Sequence, residues 1–161
     1  MKISVIIPAF NEERLLGDSL REVRLAMTRF SEHGWETELI VCDNNSTDRT
    51  AEIARAAGAT VVFEPVNQIA RARNAGAAAA TGDWLVFVDA DSHPSRELFA
   101  DVAAQISGGK CLAGGSTIRL DTDHRGGRAV TAVWNLVSRL GRTLAGSFIF
   151  VEAKVFREVG G

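Results

Sequence analysis

The stretch Trp84-Leu85-Val86-Phe87-Val88-Asp89-Ala90-Asp91 decides the fold class. Its five apolar residues, aromatic and β-branched for the most part, read as a strand buried on both faces, the kind found in parallel sheets. The run ends in two carboxylates one residue apart. In open α/β sheets, ligands bind outside the carboxyl ends of the strands. Two aspartates placed there repel each other unless a cation lies between them. A divalent metal holding a phosphorylated ligand is the simplest such cation.

Outward from this stretch, short apolar runs alternate with helical patterns. Ile3 to Ile7 reads as a first buried strand, ended by Pro8, which cannot donate to a sheet ladder. Glu12 to Phe30 carries Leu15, Leu16, Leu20, Val23 and Met27 at helical spacing, and Gly34 breaks it. Thr37 to Cys42 is a second strand. Ser46 or Thr47 is placed to cap a helix from Asp48 to Ala57, closed by Gly58. Thr60 to Phe63 is a third strand and Ile69 to Ala80 an alanine-rich helix. After the Trp84 strand, Ser95 caps a helix through Ile106 that ends at Gly108-Gly109. This rhythm predicts right-handed βαβ units, hence an open, twisted, mostly parallel α/β sheet flanked by helices.

Past Leu112 the regularity falls. Gly114-Gly115-Ser116 opens a segment from Thr117 to Leu120, and Asp121 to Gly127 reads as a mobile loop. Val130, Val133, Trp134, Val137, Leu140 and Leu144 recur at helical spacing, flanked by Arg125, Arg128, Arg139 and Arg142. Two readings fit them: an amphipathic helix packed on the sheet, or an interfacial helix on anionic lipid. Ser147 to Glu152 reads as a last strand and Lys154 to Val159 as a helical turn.

Composition bounds the function. The 161 residues suffice for one compact domain, and a net charge of −2 argues against a nucleic-acid footprint. Cys42 and Cys111 sit in apolar settings and read as buried free thiols, which fits a reducing, cytoplasmic compartment. The apolar opening is too short and too interrupted for a signal peptide, and no stretch is long and apolar enough to span a bilayer.

Four groups fall at carboxyl ends of strands. Pro8-Ala9-Phe10-Asn11-Glu12 turns the chain from strand to helix, leaving backbone groups to meet a ligand. Asp43-Asn44-Asn45-Ser46-Thr47-Asp48 follows the second strand. Ser46, Thr47 and Asp48 read as helix caps, whereas Asp43 precedes the cap and is read as free to accept from a base N–H or a ribose hydroxyl. In Arg71-Ala72-Arg73-Asn74-Ala75-Gly76, Arg71 and Asn74 share a helix face, and the small residues that follow let this helix approach its neighbour closely. Asp89-Ala90-Asp91 supplies oxygen ligands of the kind Mg²⁺ and Mn²⁺ prefer.

Together these motifs resemble the family-2 glycosyltransferases with the GT-A, Rossmann-like fold, over nearly the whole chain from Lys2 to Gly161. The resemblance implies an inverting enzyme that moves a sugar from a nucleotide donor, UDP- or GDP-linked, to an acceptor hydroxyl. It implies that Pro8, Ala9 and Glu12, with Phe10 in the same turn, border the base, and that Asp43 bonds it. Arg71 and Asn74 would lie near the ribose and diphosphate. Asp89 and Ala90 would meet ribose or sugar, and Asp91 would bind Mn²⁺ or Mg²⁺. The acceptor class would be a saccharide or a lipid-linked acceptor at the inner face of the membrane; peripheral membrane contact and a homodimer both stay open.

Two departures from the family pattern stand out. Ser92 replaces a third aspartate that many relatives carry. Relatives also follow the position of Gly160-Gly161 with a segment holding the catalytic base, so residues 1–161 are expected to form a single donor-binding domain lacking that acceptor and base segment. Asp121, Asp123 and Glu152 are available carboxylates, and none is assigned as the base. The alternative is a non-catalytic nucleotide-sugar-binding module of the same fold. A sugar-1-phosphate nucleotidyltransferase is disfavoured because Ala9-Phe10-Asn11-Glu12-Glu13 lacks the glycine and lysine of a phosphate loop. A dinucleotide-binding dehydrogenase is disfavoured because no glycine fingerprint follows the first strand.

Overall fold

The computed structural model describes residues 1–117, 133, 135–137 and 147–161. Strands β1 (Lys2–Ala9), β2 (Glu36–Asp43), β3 (Thr60–Phe63), β4 (Trp84–Val88), β5 (Ala113–Gly115) and β6 (Phe148–Glu152) form one sheet in the order β3-β2-β1-β4-β6-β5. The first four run parallel, whereas β6 lies antiparallel to both β4 and β5. Helices α1 (Leu16–Glu32), α2 (Thr50–Ala56), α3 (Ile69–Ala79) and α4 (Arg96–Ser107) connect or follow the parallel strands, and α5 (Ala153–Glu158) follows β6. The expected mostly parallel α/β sheet is therefore present.

Alternation along β1 explains the layers. Ile3, Val5 and Ile7 face one side with Leu16, Leu20, Val23 and Phe30 of α1 and Phe99 of α4. Ile6 faces the other side with Ile40, Leu85, Phe87 and Ala77 of α3. The Phe30 and Phe99 rings, 5.1 Å apart, join α1 to α4. Helix α3 comes closest to the sheet at Gly76, where an added Cβ would sit 2.5 Å from Ile6 Cγ2. Ala72 and Ala77 are buried on the same side, so the small residues serve close approach, as their pattern suggests.

Several boundaries differ from the sequence reading. β1 runs through Pro8 to Ala9 instead of ending there. β4 pairs with it only up to Ile6, which leaves one side of the Pro8 backbone without a strand partner. α1 starts at Leu16, not Glu12, because Asn11 takes a left-handed backbone (φ 54°) and residues 12–15 form a turn. α2 starts at Thr50, and neither Ser46 nor Thr47 caps it. Ser95 does cap α4, its Oγ accepting from the Leu98 N–H at 3.2 Å. A short strand at Ala113–Gly115, which the sequence reading did not place, lies just before the expected segment from Thr117 to Leu120.

Both cysteines are free thiols; Cys42 is buried, but Cys111 is only half-buried, since it sits at the sheet margin before β5. Burial pushes the Cys42 thiol up to about 11, with the negative charges of Glu64 and Asp43 adding to the effect. Most of Thr117 to Leu120, the loop from Asp121 to Gly127 and most of the amphipathic segment from Val130 to Leu144 lie outside the described residues. Of that last segment, Val133, Leu136 and Val137 are described and exposed. Among the described residues no helix is long and apolar enough to cross a membrane.

The amino-terminal edge of the sheet is locked by Glu38. Its carboxylate takes Lys2 Nζ at 2.7 Å, Ser4 Oγ at 2.5 Å and the Thr81 N–H at 2.7 Å. Burial pushes this carboxyl up, but the bonds from Lys2, Ser4 and Thr81 outweigh it and hold the group at about 2. Its folded value lies below the ordinary 4.5, so the stabilisation is complete above that pH and is lost as pH falls toward 2. Denaturant titrations should show Glu38 contributing on the order of 2–3 kcal/mol of stability that disappears across this acid window. Glu38→Gln should flatten that part of the profile; an unchanged profile would contradict the assignment.

Candidate functional site

The β1–β2–β3 register ends in line, with Ala9 opposite Asp43 and Asp43 opposite Phe63. Ile6 lies opposite Phe87, so the segments Pro8-Ala9 and Asp89-Ala90 leave the sheet side by side. Between them lies an open cleft of about 320 Å³, lined by Pro8, Ala9, Phe10, Glu12, Asn44, Ile69, Asp89, Ala90 and Asp91. Seven residues singled out in the sequence thus meet at one place. Asn44 and Ile69 were not among the expected ligand residues. Asn44 carries no role of its own in the sequence reading of the Asp43–Asp48 group, and nothing in the helical pattern of Ile69 distinguishes it from a core residue.

The walls of this cleft are set by two interlocked loops. Ser46 Oγ accepts from the Asn11 N–H at 3.0 Å, Thr50 Oγ1 from the Glu12 N–H at 2.8 Å, and Asp48 Oδ2 from the Glu13 N–H at 3.1 Å. In return Asn11 Oδ1 accepts from the Thr47 N–H at 2.8 Å. Ser46 and Thr47 therefore serve the neighbouring loop instead of capping α2. Asp48 does both, since its Oδ1 also accepts from the Thr50 N–H at 2.9 Å and from the Thr50 hydroxyl. These bonds hold its carboxyl below the usual range against the opposing effect of burial.

Asp43 differs from its sequence reading. It is buried and already engaged, one oxygen accepting from the Ser46 N–H at 3.1 Å, because the left-handed Asn45 (φ 63°) folds the turn back over it. It does not line the cleft; its neighbour Asn44 does. Asn44 in turn donates from Nδ2 to the Val66 carbonyl at 2.5 Å and the Glu64 carbonyl at 3.3 Å, which seats the loop after β3 against the site.

Arg71 and Asn74 lie outside the cleft lining. Arg71 pairs with Glu64 at 3.1 Å. The Val66 N–H and then Arg71 hold the Glu64 carboxyl below its ordinary range. Asn74 is exposed beside Gly161. The arginine that bonds a cleft residue is Arg73, whose guanidinium donates to Asp89 Oδ1 at 2.7 Å. The sequence reading passed over it because the face shared by Arg71 and Asn74 points elsewhere. The signal was its two-residue offset from Arg71, which turns it some 200° around the helix.

The loop carrying the two aspartates is itself fixed. Asp89 N–H donates to the Ser147 carbonyl at 3.0 Å, Ser92 N–H to the Asp89 carbonyl at 3.0 Å, and the buried Ser19 hydroxyl of α1 to the Ser92 carbonyl at 2.9 Å. Asp91 is exposed at the cleft margin. Glu12 faces it, and its carboxyl is pushed up, first by partial burial and then by the negative charges of Asp91 and Asp48.

The cleft lies outside the carboxyl ends of the strands, where open α/β sheets bind their ligands. The chain belongs to glycosyl transferase family 2, whose model matches residues 4–150. It is 38% identical over 102 residues to the 4,4'-diaponeurosporenoate glycosyltransferase of Staphylococcus haemolyticus, covering 59% of this chain and 25% of that protein. Its fold superposes on a mannosyltransferase of Pyrobaculum calidifontis in complex with GDP-mannose and Mn²⁺ (TM-score 0.77, 22% identity, 99% of this chain and 46% of that one). It also matches the glucosyl-3-phosphoglycerate synthase of Mycobacterium tuberculosis, crystallised with Mn²⁺, UDP-glucose and phosphoglyceric acid (TM-score 0.65, 27% identity, 96% and 57%). The chain thus spans between a quarter and somewhat over half of these relatives, and its sheet is the GT-A arrangement.

The interlock makes a direct prediction. Thr50→Val keeps the shape of a fully buried side chain but leaves the Glu12 N–H without its acceptor and removes one of the two donors to Asp48 Oδ1. It should cost about 1–3 kcal/mol in urea denaturation, whereas Thr50→Ser should recover most of it.

Proposed function

We propose that this chain is the donor-binding part of a metal-dependent, inverting glycosyltransferase that takes its sugar from a UDP- or GDP-linked donor. The observation that carries this reading is the convergence of Pro8, Ala9, Phe10 and Glu12 with Asp89, Ala90 and Asp91 around one cleft. Phe10 and Ile69, both largely exposed, offer apolar surface for a base, and Asn44 offers an adjacent amide. Asp43, next to Asn44 in the chain, is engaged by the turn, so it supports base binding by holding that turn.

The donor set suits a hard divalent cation. Asp91 supplies an exposed carboxylate, and the repulsion between Glu12 and Asp91 is what a cation would relieve. Among the described residues no cluster of three or more His, Cys, Asp or Glu could hold a metal unaided. That fits Mn²⁺ or Mg²⁺ bound by one or two carboxylates plus substrate phosphates and water. Such an ion, when bound, neutralises charge building on a departing diphosphate. The chain's own residues bind and orient the donor: the Phe10 turn borders the base, and the Asp89-Ala90-Asp91 loop meets the ribose, sugar and diphosphate end. In the transfer, the acceptor oxygen bonds the anomeric carbon from the face opposite the diphosphate. The bond to that diphosphate breaks, and the acceptor proton passes to a general base. The bound complexes of the relatives with Mn²⁺ and nucleotide sugars support this reading.

The test is calorimetric titration with UDP and GDP, with and without Mn²⁺. The wild-type chain should bind one of them only when Mn²⁺ is present. A ligand at about 100 times its dissociation constant should add roughly 2.7 kcal/mol of stability in a parallel melt. Asp91→Ala should abolish the Mn²⁺-dependent part, and equal Mn²⁺-dependent binding by that variant would refute the metal role.

A further inference from the structure

Helix α3 begins over the carboxyl edge of the sheet and carries two arginines that part company. Arg71 turns toward Glu64 after β3, and Arg73 toward Asp89 after β4. These strands lie on opposite sides of the β2–β1 pair, so the first turns of α3 bridge the site from one flank to the other. The two ion pairs are not equivalent. The Arg71 side chain is about half exposed, although its partner Glu64 is nearly buried. Arg73 and Asp89 are only 25% and 27% exposed, and the buried Arg73 Nε has no hydrogen-bond partner among the described residues. A guanidinium held in that state loses hydration that it would keep in solvent, so its placement is maintained by its surroundings.

Asp89 has two carboxylate oxygens, and Arg73 takes one. Among the described residues no other side chain is recorded bonding to the second, while Asp89 lines the cleft. Three carboxylates line this cleft, those of Glu12, Asp89 and Asp91, and the site is proposed to accept a diphosphate that is itself an anion. Unpaired, all three would repel it.

We propose that Arg73 is a positioning residue of the donor site: it fixes one oxygen of Asp89 so that the other is presented to the nucleotide sugar, and it offsets one of the three negative charges around the diphosphate. The inference rests on the donor-binding reading above. It assigns Arg73 no contact with the donor; its effect passes through Asp89. A Lys at this position keeps the charge but loses the fork geometry, so it should restore the function only partly.

A double-mutant cycle separates this role from a general structural one. UDP and GDP affinities in saturating Mn²⁺ would be measured for wild type, Arg73→Met, Asp89→Asn and the double variant, with Arg73→Lys as the conservative replacement. Arg73→Met should weaken binding about tenfold in the wild-type background and less than about threefold in the Asp89→Asn background, since its partner is then already altered. Arg73→Lys should fall between wild type and Arg73→Met, which keeps the test valid if the methionine variant folds poorly. Equal losses in both backgrounds, or no loss in either arginine variant, would overturn the proposal. Absence of nucleotide binding by the wild-type chain would instead sink the donor-binding reading, and this inference with it.

Discussion

Everything at the site depends on the bonds between the loop after β1 and the loop after β2. Side chains of Ser46, Asp48 and Thr50 accept from three consecutive N–H groups, those of Asn11, Glu12 and Glu13. Asn11 answers with its own side chain. Those backbone groups would otherwise face the edge of the sheet unsatisfied, at a cost comparable to the bonds themselves. The interlock sends Phe10 outward and keeps Glu12 near Asp91. It also explains why α1 starts later than its apolar spacing implies and α2 later than its cap residues imply.

A second constraint is electrostatic. The carboxyl edge gathers acids from several strand ends, and each meets a different fate. Asp48 is consumed by backbone donors, Asp43 by the Ser46 N–H, Glu64 by Val66 and Arg71, and one of the two Asp89 oxygens by Arg73. Glu12 and Asp91 are left at the cleft, and the Glu12 carboxyl is pushed up first by partial burial and then by the negative charge of Asp91. The site therefore separates acids that build the walls from acids left to meet a ligand. The opposite end of the sheet uses the same chemistry for stability alone, through Glu38 and its ring of donors.

Strand positions were legible because buried parallel strands leave uninterrupted apolar runs: Trp84–Val88 falls where its sequence puts it, with Asp89 and Asp91 just beyond. The gathering of Pro8, Phe10 and Asp91 followed from the rule that strand ends share one edge. The state of individual side chains was less legible. Asp43 looks free in the sequence, because the left-handed turn at Asn45 that returns Ser46 to it is a tertiary outcome. Arg71 and Arg73 look alike on an alanine-rich helix, and only the strand order decides which one faces Asp89. β5 escaped notice because its three residues, Ala113–Gly115, carry no apolar alternation and depend on pairing with β6.

The central claim is that one cleft, between the Phe10 turn and the Asp89-Ala90-Asp91 loop, holds both nucleotide and metal. Crystals grown with Mn²⁺ and UDP or GDP, measured near the manganese absorption edge, would test it most directly. The account predicts an anomalous peak beside the Asp91 carboxylate, with diphosphate oxygens on the same ion and the base against Phe10. An ordered nucleotide at any other place on the chain, or a manganese peak remote from Asp91, would contradict it.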